Sequence, residues 1–129
     1  MILACVAAEA QDVVIVANKS VSVSQISAAQ LREIFIGVRS RLNDGSHVVP
    51  VLLKGGPAHE VFLHHYIGDN PQEFRARWVK ATFTGEGTMP KEFYSETELL
   101  HYVSVTPGAI GYVSRIHDQT IVKVLSVSR

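Results

Sequence analysis

Apolar positions along the chain follow two different periods. Runs rich in aliphatic and β-branched residues fill residues 12–17 (DVVIVA), 48–53 (VVPVLL), 109–113 (AIGYV) and 121–127 (IVKVLSV), and each reads as a strand. Pro50 has no N–H to give a ladder, so it places the second run at a sheet edge or at a strand start. Between the runs the spacing changes to three and four. Leu31, Ile34 and Phe35 form one helical face, and Phe74, Trp78 and Ala81 form another. Start and stop signals bracket these faces. After the extended polar stretch SVSVSQ, Ser27 with Gln30 makes a capping box, Ile26 with Leu31 makes the hydrophobic staple, and Gly37 ends the helix. A second helix runs from Pro57 to about Ile67, with Gly56 at its N-cap and Gly68 at its stop. A third opens at Asn70-Pro71 with Glu73 at N3. A fourth opens at Ser95 with Glu98 and ends before TPG at 106–108. The NDG triplet at 43–45 is a turn, and TFTGEGTMP at 82–90 is an ordered loop. Strands alternating with helices predict one α/β layered domain with a largely parallel sheet.

Composition narrows the functional classes. A chain of 129 residues, 47% apolar and 19% charged, has material for one core and too little for two ordinary domains. Twelve basic residues balance twelve acidic ones. That argues against nucleic acid as a partner, since phosphate-backbone affinity needs clustered positive charge. No apolar run reaches the length of a membrane span. Cys5 is the single cysteine, so no disulfide forms within the chain and no cysteine cluster holds zinc. It lies in MILACVAAEAQ, where Ala8-Glu9-Ala10 has the form of a signal-peptidase site without the usual positive leading region. The expectation is a signal-peptide remnant at 1–10 ahead of a single domain at 11–129. A buried first strand or helix is the competing reading of the same segment.

The stretch LLKGGPAHEVFLHHYIG, 52–68, carries the strongest chemical suggestion. An apolar run ends at Lys54, two glycines and a proline follow, and a helix begins. Such a junction leaves free backbone N–H groups at a helix start, where the dipole favours negative charge. The predicted anion site comprises Lys54, Gly55, Gly56, Ala58 and His59. Its binding groups are the N–H groups of Ala58 and His59, the Lys54 ammonium and a protonatable His59. The same residues also suit a plain strand-to-helix turn beside a solvated lysine.

Three longer segments follow one another along the chain: QLREIFIGVRSRLNDGSHVVPV, FRARWVKATFTGEGTMP and ELLHYVSVTPGAIGYVS. In that order they resemble segments of the phosphate-binding proteins of bacterial phosphate ABC transporters, and more closely the short, single-lobe relatives of those proteins. The likeness runs from about Val13 to Ser114, with LREIFIG, the FTGEG loop and PGAIGYV as its most specific pieces. It implies a single periplasmic-binding-protein-like lobe, mainly a parallel sheet flanked by helices, in an exported, periplasmic protein. It also implies a binder rather than an enzyme, with phosphate or a similar oxyanion as ligand. Full-length members hold the ligand between two lobes, and this chain matches the second lobe alone. The ligand loop departs from the family's arginine followed by Ser-Gly-Thr. Lys54 stands at the arginine position and makes no bidentate fork, both hydroxyl donors are missing, and Pro57 removes an N–H. Leu42 replaces the family's tryptophan ahead of the turn.

Other chemistry has little support. Among the six histidines, His64 and His65 are adjacent and point about 100° apart on a helix, and His59 and His65 are six apart. No H-E-x-x-H pattern occurs, so neither metal nor cofactor is expected. GAIGYV lacks the serine of a nucleophile elbow, and GEG follows a helix without the rest of a phosphate-binding glycine motif. Phe74, Trp78, Phe83, Tyr102 and Tyr112 have core-facing spacings and read as packing; Arg39 and Arg41 read as a solvated rim beside the turn. The sequence thus predicts an exported, non-catalytic lobe whose partner is phosphate or sulfate. The competing reading is an interaction or scaffold module, such as a homodimer, that has lost its ligand.

Overall fold

Residues 13–116 and 120–128 are described by a computed structural model, so the leader expected at 1–10 lies outside the described residues. Strands β1 (Val14–Ala17), β2 (Gln25–Ser27), β3 (Val49–Leu53), β4 (Lys91–Phe93), β5 (Ala109–Val113) and β6 (Lys123–Ser128) form one sheet in the order β2-β6-β1-β5-β3-β4. β1 is antiparallel to both of its neighbours, β5 and β6. The pairs β2–β6, β3–β4 and β3–β5 are parallel, so every strand except β1 runs one way. This is the mainly parallel α/β arrangement that the alternation of elements predicts.

Helices α1 (Ala28–Phe35), α2 (Pro57–Phe62), α3 (Pro71–Phe83) and α4 (Glu96–Val105) start where the capping residues stand. Ser27 Oγ accepts the Gln30 N–H at 3.1 Å, and Ser95 Oγ accepts the Glu98 N–H at 3.1 Å. Asn70 and Glu73 make the full reciprocal box, with bonds of 2.8 and 2.9 Å. Gln30 does not return the bond to Ser27; its amide reaches Asn43 Oδ1 at 3.1 Å and ties α1 to the 43–45 turn instead.

Neighbouring residues of a strand face opposite layers, and β5 makes this plain because every one of its residues is buried. A Cβ on Gly111 would stand 2.9 Å from Leu99 Cδ2, which puts α4 on that face. Tyr112 faces the other way, stacked on Phe62 at 3.9 Å with Phe35 edge-on at 6.2 Å. That layer is built from α1, α2 and α3. Trp78 of α3 closes it by donating Nε1–H to the Phe35 carbonyl at 3.0 Å.

Four details differ from the sequence reading. The helix expected from Pro57 to Ile67 is α-helical only to Phe62 and continues as a π-helical turn, Leu63–Ile67. The wider turn buries both Leu63 and Ile67, and the Gly68 N–H closes it on the Leu63 carbonyl at 2.6 Å. Strand β3 is interior, between β5 and β4, so of the two positions expected for Pro50 the sheet edge fails and the strand start holds. Pro50 is the second residue of β3, and pairing with β4 begins one residue later, at Val51↔Lys91. Strands β2 and β4 carry no alternation of their own and exist through their parallel neighbours. Phe83 is 91% exposed rather than packed. It stands five residues beyond Trp78, about 140° round the helix from the buried face.

Gly37 is the tightest junction between α1 and α3. Its φ is +88°, and an added Cβ would lie 2.6 Å from Trp78 Cη2. Gly45 has the same φ with nothing within 4 Å. Urea unfolding is expected to give a loss of about 2–4 kcal/mol for Gly37→Ala and about 1 kcal/mol for Gly45→Ala, the difference reporting the clash.

Candidate functional site

The strand-to-helix junction after β3 is where the predicted anion residues come together. Lys54 extends the ladder by one bond, its N–H donating to the Phe93 carbonyl at 2.8 Å. Gly55 and Gly56 are exposed, and Gly56 takes a φ of +98° that favours glycine. Pro57 opens α2 at N1, where no N–H is needed. The first intrahelical bond runs from the Glu60 N–H to the Gly56 carbonyl at 3.1 Å. The N–H groups of Ala58 and His59 precede it, and among the described residues no side-chain cap is made at the Gly56 N-cap.

The His59 side chain does not take the position expected of it. His59 is 6% exposed, and its Nδ1 lies 2.6 Å from the Tyr112 hydroxyl. The same hydroxyl accepts the Leu53 N–H at 3.0 Å. One oxygen from β5 therefore touches the residue before the Lys54–Ala58 loop and the residue after it. Burial pushes the Tyr112 phenol well above its ordinary value, so it keeps its proton. Giving that proton an acceptor makes His59 the neutral Nε2–H tautomer, with Nδ1 accepting. Burial also holds the His59 imidazole below its ordinary value; Glu92 and Glu60 oppose the shift and Arg75 adds to it. As a protonatable side-chain ligand His59 is thus corrected: its ring belongs to the core, and what it leaves to the junction is its backbone N–H in the first turn of α2.

Lys54 is exposed, but its charge is shared. Nζ lies 3.7 Å from Glu92 Oε1 and 5.5 Å from the centre of the Tyr94 ring. Glu92 Oε2 also accepts from Arg75 Nη2 at 2.8 Å. The junction therefore gathers Arg75 from α3, Glu92 from β4 and Tyr112 from β5, none of which the sequence reading placed there. Arg75 lies in the segment FRARWVKATFTGEGTMP and Glu92 just after it, but nothing in that stretch points either side chain toward the junction. Tyr112 reads from its spacing as packing, and nothing in its neighbourhood marks the hydroxyl as a loop anchor. Among the described residues no group of three or more His, Cys, Asp or Glu is placed to hold a metal ion. No helix among them is long and apolar enough to cross a membrane.

In sequence, no family model and no curated protein matches the chain. In structure it is similar to a chain described as a phosphate ABC transporter substrate-binding protein with bound phosphate from Clostridium perfringens, with a TM-score of 0.71 at 16% identity. That alignment covers 89% of this chain and 44% of the other. An ABC-type phosphate transport receptor from Vibrio cholerae aligns with a TM-score of 0.66 at 14% identity, over 89% of this chain and 45% of that one. PstS from Borrelia burgdorferi aligns with a TM-score of 0.63 at 14% identity, over 89% and 46% respectively. The chain thus spans under half the length of each, and the likeness establishes a partial periplasmic-binding-protein-like fold.

The Tyr112 clamp makes two expectations. Tyr112→Phe leaves the Leu53 N–H and His59 Nδ1 without their shared partner, and urea unfolding should register a loss of about 1–3 kcal/mol. The pH dependence has a definite sign. Because the folded-state pKa of His59 is depressed, its stabilising contribution is complete above the unfolded value of about 6.5 and falls as pH drops through that value toward the folded one. Unfolding measured from pH 7.5 down to pH 5 should show that decline, with a shallower slope in His59→Gln.

Proposed function

We propose that this chain is an exported, non-catalytic solute-binding lobe that binds a small oxyanion, phosphate or sulfate, at the Lys54–His59 junction in connection with phosphate transport. The observation that carries the reading is the pair of uncapped first-turn N–H groups, Ala58 and His59, beside the exposed Lys54, in a fold shared with phosphate receptors. Gly55 and Gly56 let the backbone approach an anion without side-chain obstruction, as nothing lies within 4 Å of where their Cβ atoms would be. A helix-terminus contribution is about 0.3–1 kcal/mol at an exposed site. A single lobe offers one wall, so the affinity belongs in the millimolar range, about −4 kcal/mol, rather than the micromolar range of an enclosed cleft. An extracytoplasmic location and a signal segment at 1–10 accompany the reading.

A second reading draws on the outer face of α3, where Val79 and Phe83 are 58% and 91% exposed and stand four residues apart. It takes the lobe as an interaction or scaffold module, with a homodimer as its simplest form. Light scattering coupled to size exclusion separates the two: a monomer at high concentration removes the homodimer.

Calorimetric titration with phosphate and with sulfate at low ionic strength is the direct test. Binding in the millimolar range is expected for both, weakened severalfold by Lys54→Ala. No heat from either anion, together with no change in the variant, would remove the oxyanion reading.

A further inference from the structure

We infer that the Glu92 carboxylate is a resident counter-anion of the junction, holding the two cations an incoming oxyanion would engage, so that Arg75 joins Lys54 as a ligand once Glu92 is displaced. This rests on the oxyanion reading above. Glu92 comes from β4 and points to the α3 side of the sheet. One of its oxygens lies 2.8 Å from Arg75 Nη2 and the other 3.7 Å from Lys54 Nζ. Its side chain is 18% exposed, whereas the two cations are 53% and 49% exposed. A single negative charge is thus fixed at the inner end of two flexible positive arms. Lys54 is further steered by the Tyr94 ring, 5.5 Å away. The Lys54 N–H bonds to the Phe93 carbonyl at 2.8 Å and Glu92 pairs with Leu52, so β4 carries the carboxylate alongside the residues that lead into α2.

Two consequences follow from Coulomb's law. The carboxylate repels any anion at the uncapped N–H groups and neutralises half of the charge that would attract it. An anion that displaces it gains both cations. A doubly charged oxyanion, sulfate or hydrogen phosphate, balances that pair, whereas a singly charged one only replaces what Glu92 already supplies. The ligand class that fits is therefore the dianionic oxyanion. The affinity of the lobe is set by competition within the chain as well as by the junction itself.

The test is titration of the full chain and of Glu92→Gln with sulfate, phosphate and nitrate at low ionic strength. Glu92→Gln keeps the shape of the side chain and removes its charge. It should tighten sulfate and phosphate by about tenfold. Arg75→Gln in the same background should abolish most of that gain, because the freed guanidinium is its source. Nitrate should bind the unmodified chain more weakly than sulfate does. Should Glu92→Gln fail to fold, Glu92→Asp draws the carboxylate back by one methylene and should shift affinity in the same direction by a smaller factor. Measurable binding to the unmodified chain with no gain in these variants overturns the counter-anion while leaving the oxyanion reading standing. A gain that survives Arg75→Gln removes Arg75 as a ligand, and nitrate binding as tight as sulfate removes the dianion preference. No binding by any of the proteins overturns both readings.

Discussion

The Tyr112 hydroxyl and the two groups it joins fix how β3 passes into α2. At this point the backbone leaves a ladder and enters a helix, so the Leu53 N–H, fully inside the sheet, needs an acceptor that no strand supplies. A phenol from β5 provides it and donates its own O–H to Nδ1 of His59, the third residue of α2. The ring that carries the hydroxyl is held by stacking on Phe62 and by Phe35 at its edge, so the polar anchor stands on an aromatic base. With both flanks pinned to one oxygen, the exposed glycines between them are free to turn without loosening either element. The candidate site is thus an exposed loop on a buried mount.

The electrostatics of that loop differ from a simple row of donors. The His59 imidazole is neutral and internal, so the positive groups outside are Lys54 and Arg75, and both lean on Glu92. Surface ion pairs contribute little to stability, and their effect here is better placed on what the junction attracts than on whether the chain folds. The two cations share one region of charge, with the Glu92 carboxylate between them.

Much of the architecture was legible in the pattern of apolar positions. The β-branched runs at β1, β3, β5 and β6 announced themselves because these strands lie inside the sheet or pack along its covered face. Ser27, Asn70 and Ser95 marked helix starts because a cap is a local bond between residues three apart. What stayed hidden was non-local. Lys91–Phe93, with two charges in three residues, is a strand only because β3 lies beside it. The π turn follows from the need to bury Leu63 and Ile67 together, and the inward turn of His59 follows from a hydroxyl far along the chain. Lys54, Gly55, Gly56, Ala58 and His59 do meet at one junction, as sequence neighbours must. Their chemistry was set by Arg75, Glu92 and Tyr112, which sequence order does not bring near.

The reversed strand at the middle of the sheet governs how such a chain is assembled in time. Residue 15 lies against residue 112 on one side and residue 125 on the other. A chain made from its amino end therefore produces β1 well before either of its two partners. Until β5 emerges β1 presents two bare edges, and until β6 emerges it still presents one, a state that invites pairing with other chains. Closing loops of this length is also slow compared with forming local helices. The order of synthesis and the order of the sheet oppose each other, so β1 waits from residue 15 until residue 112 for its first partner and until residue 125 for its second.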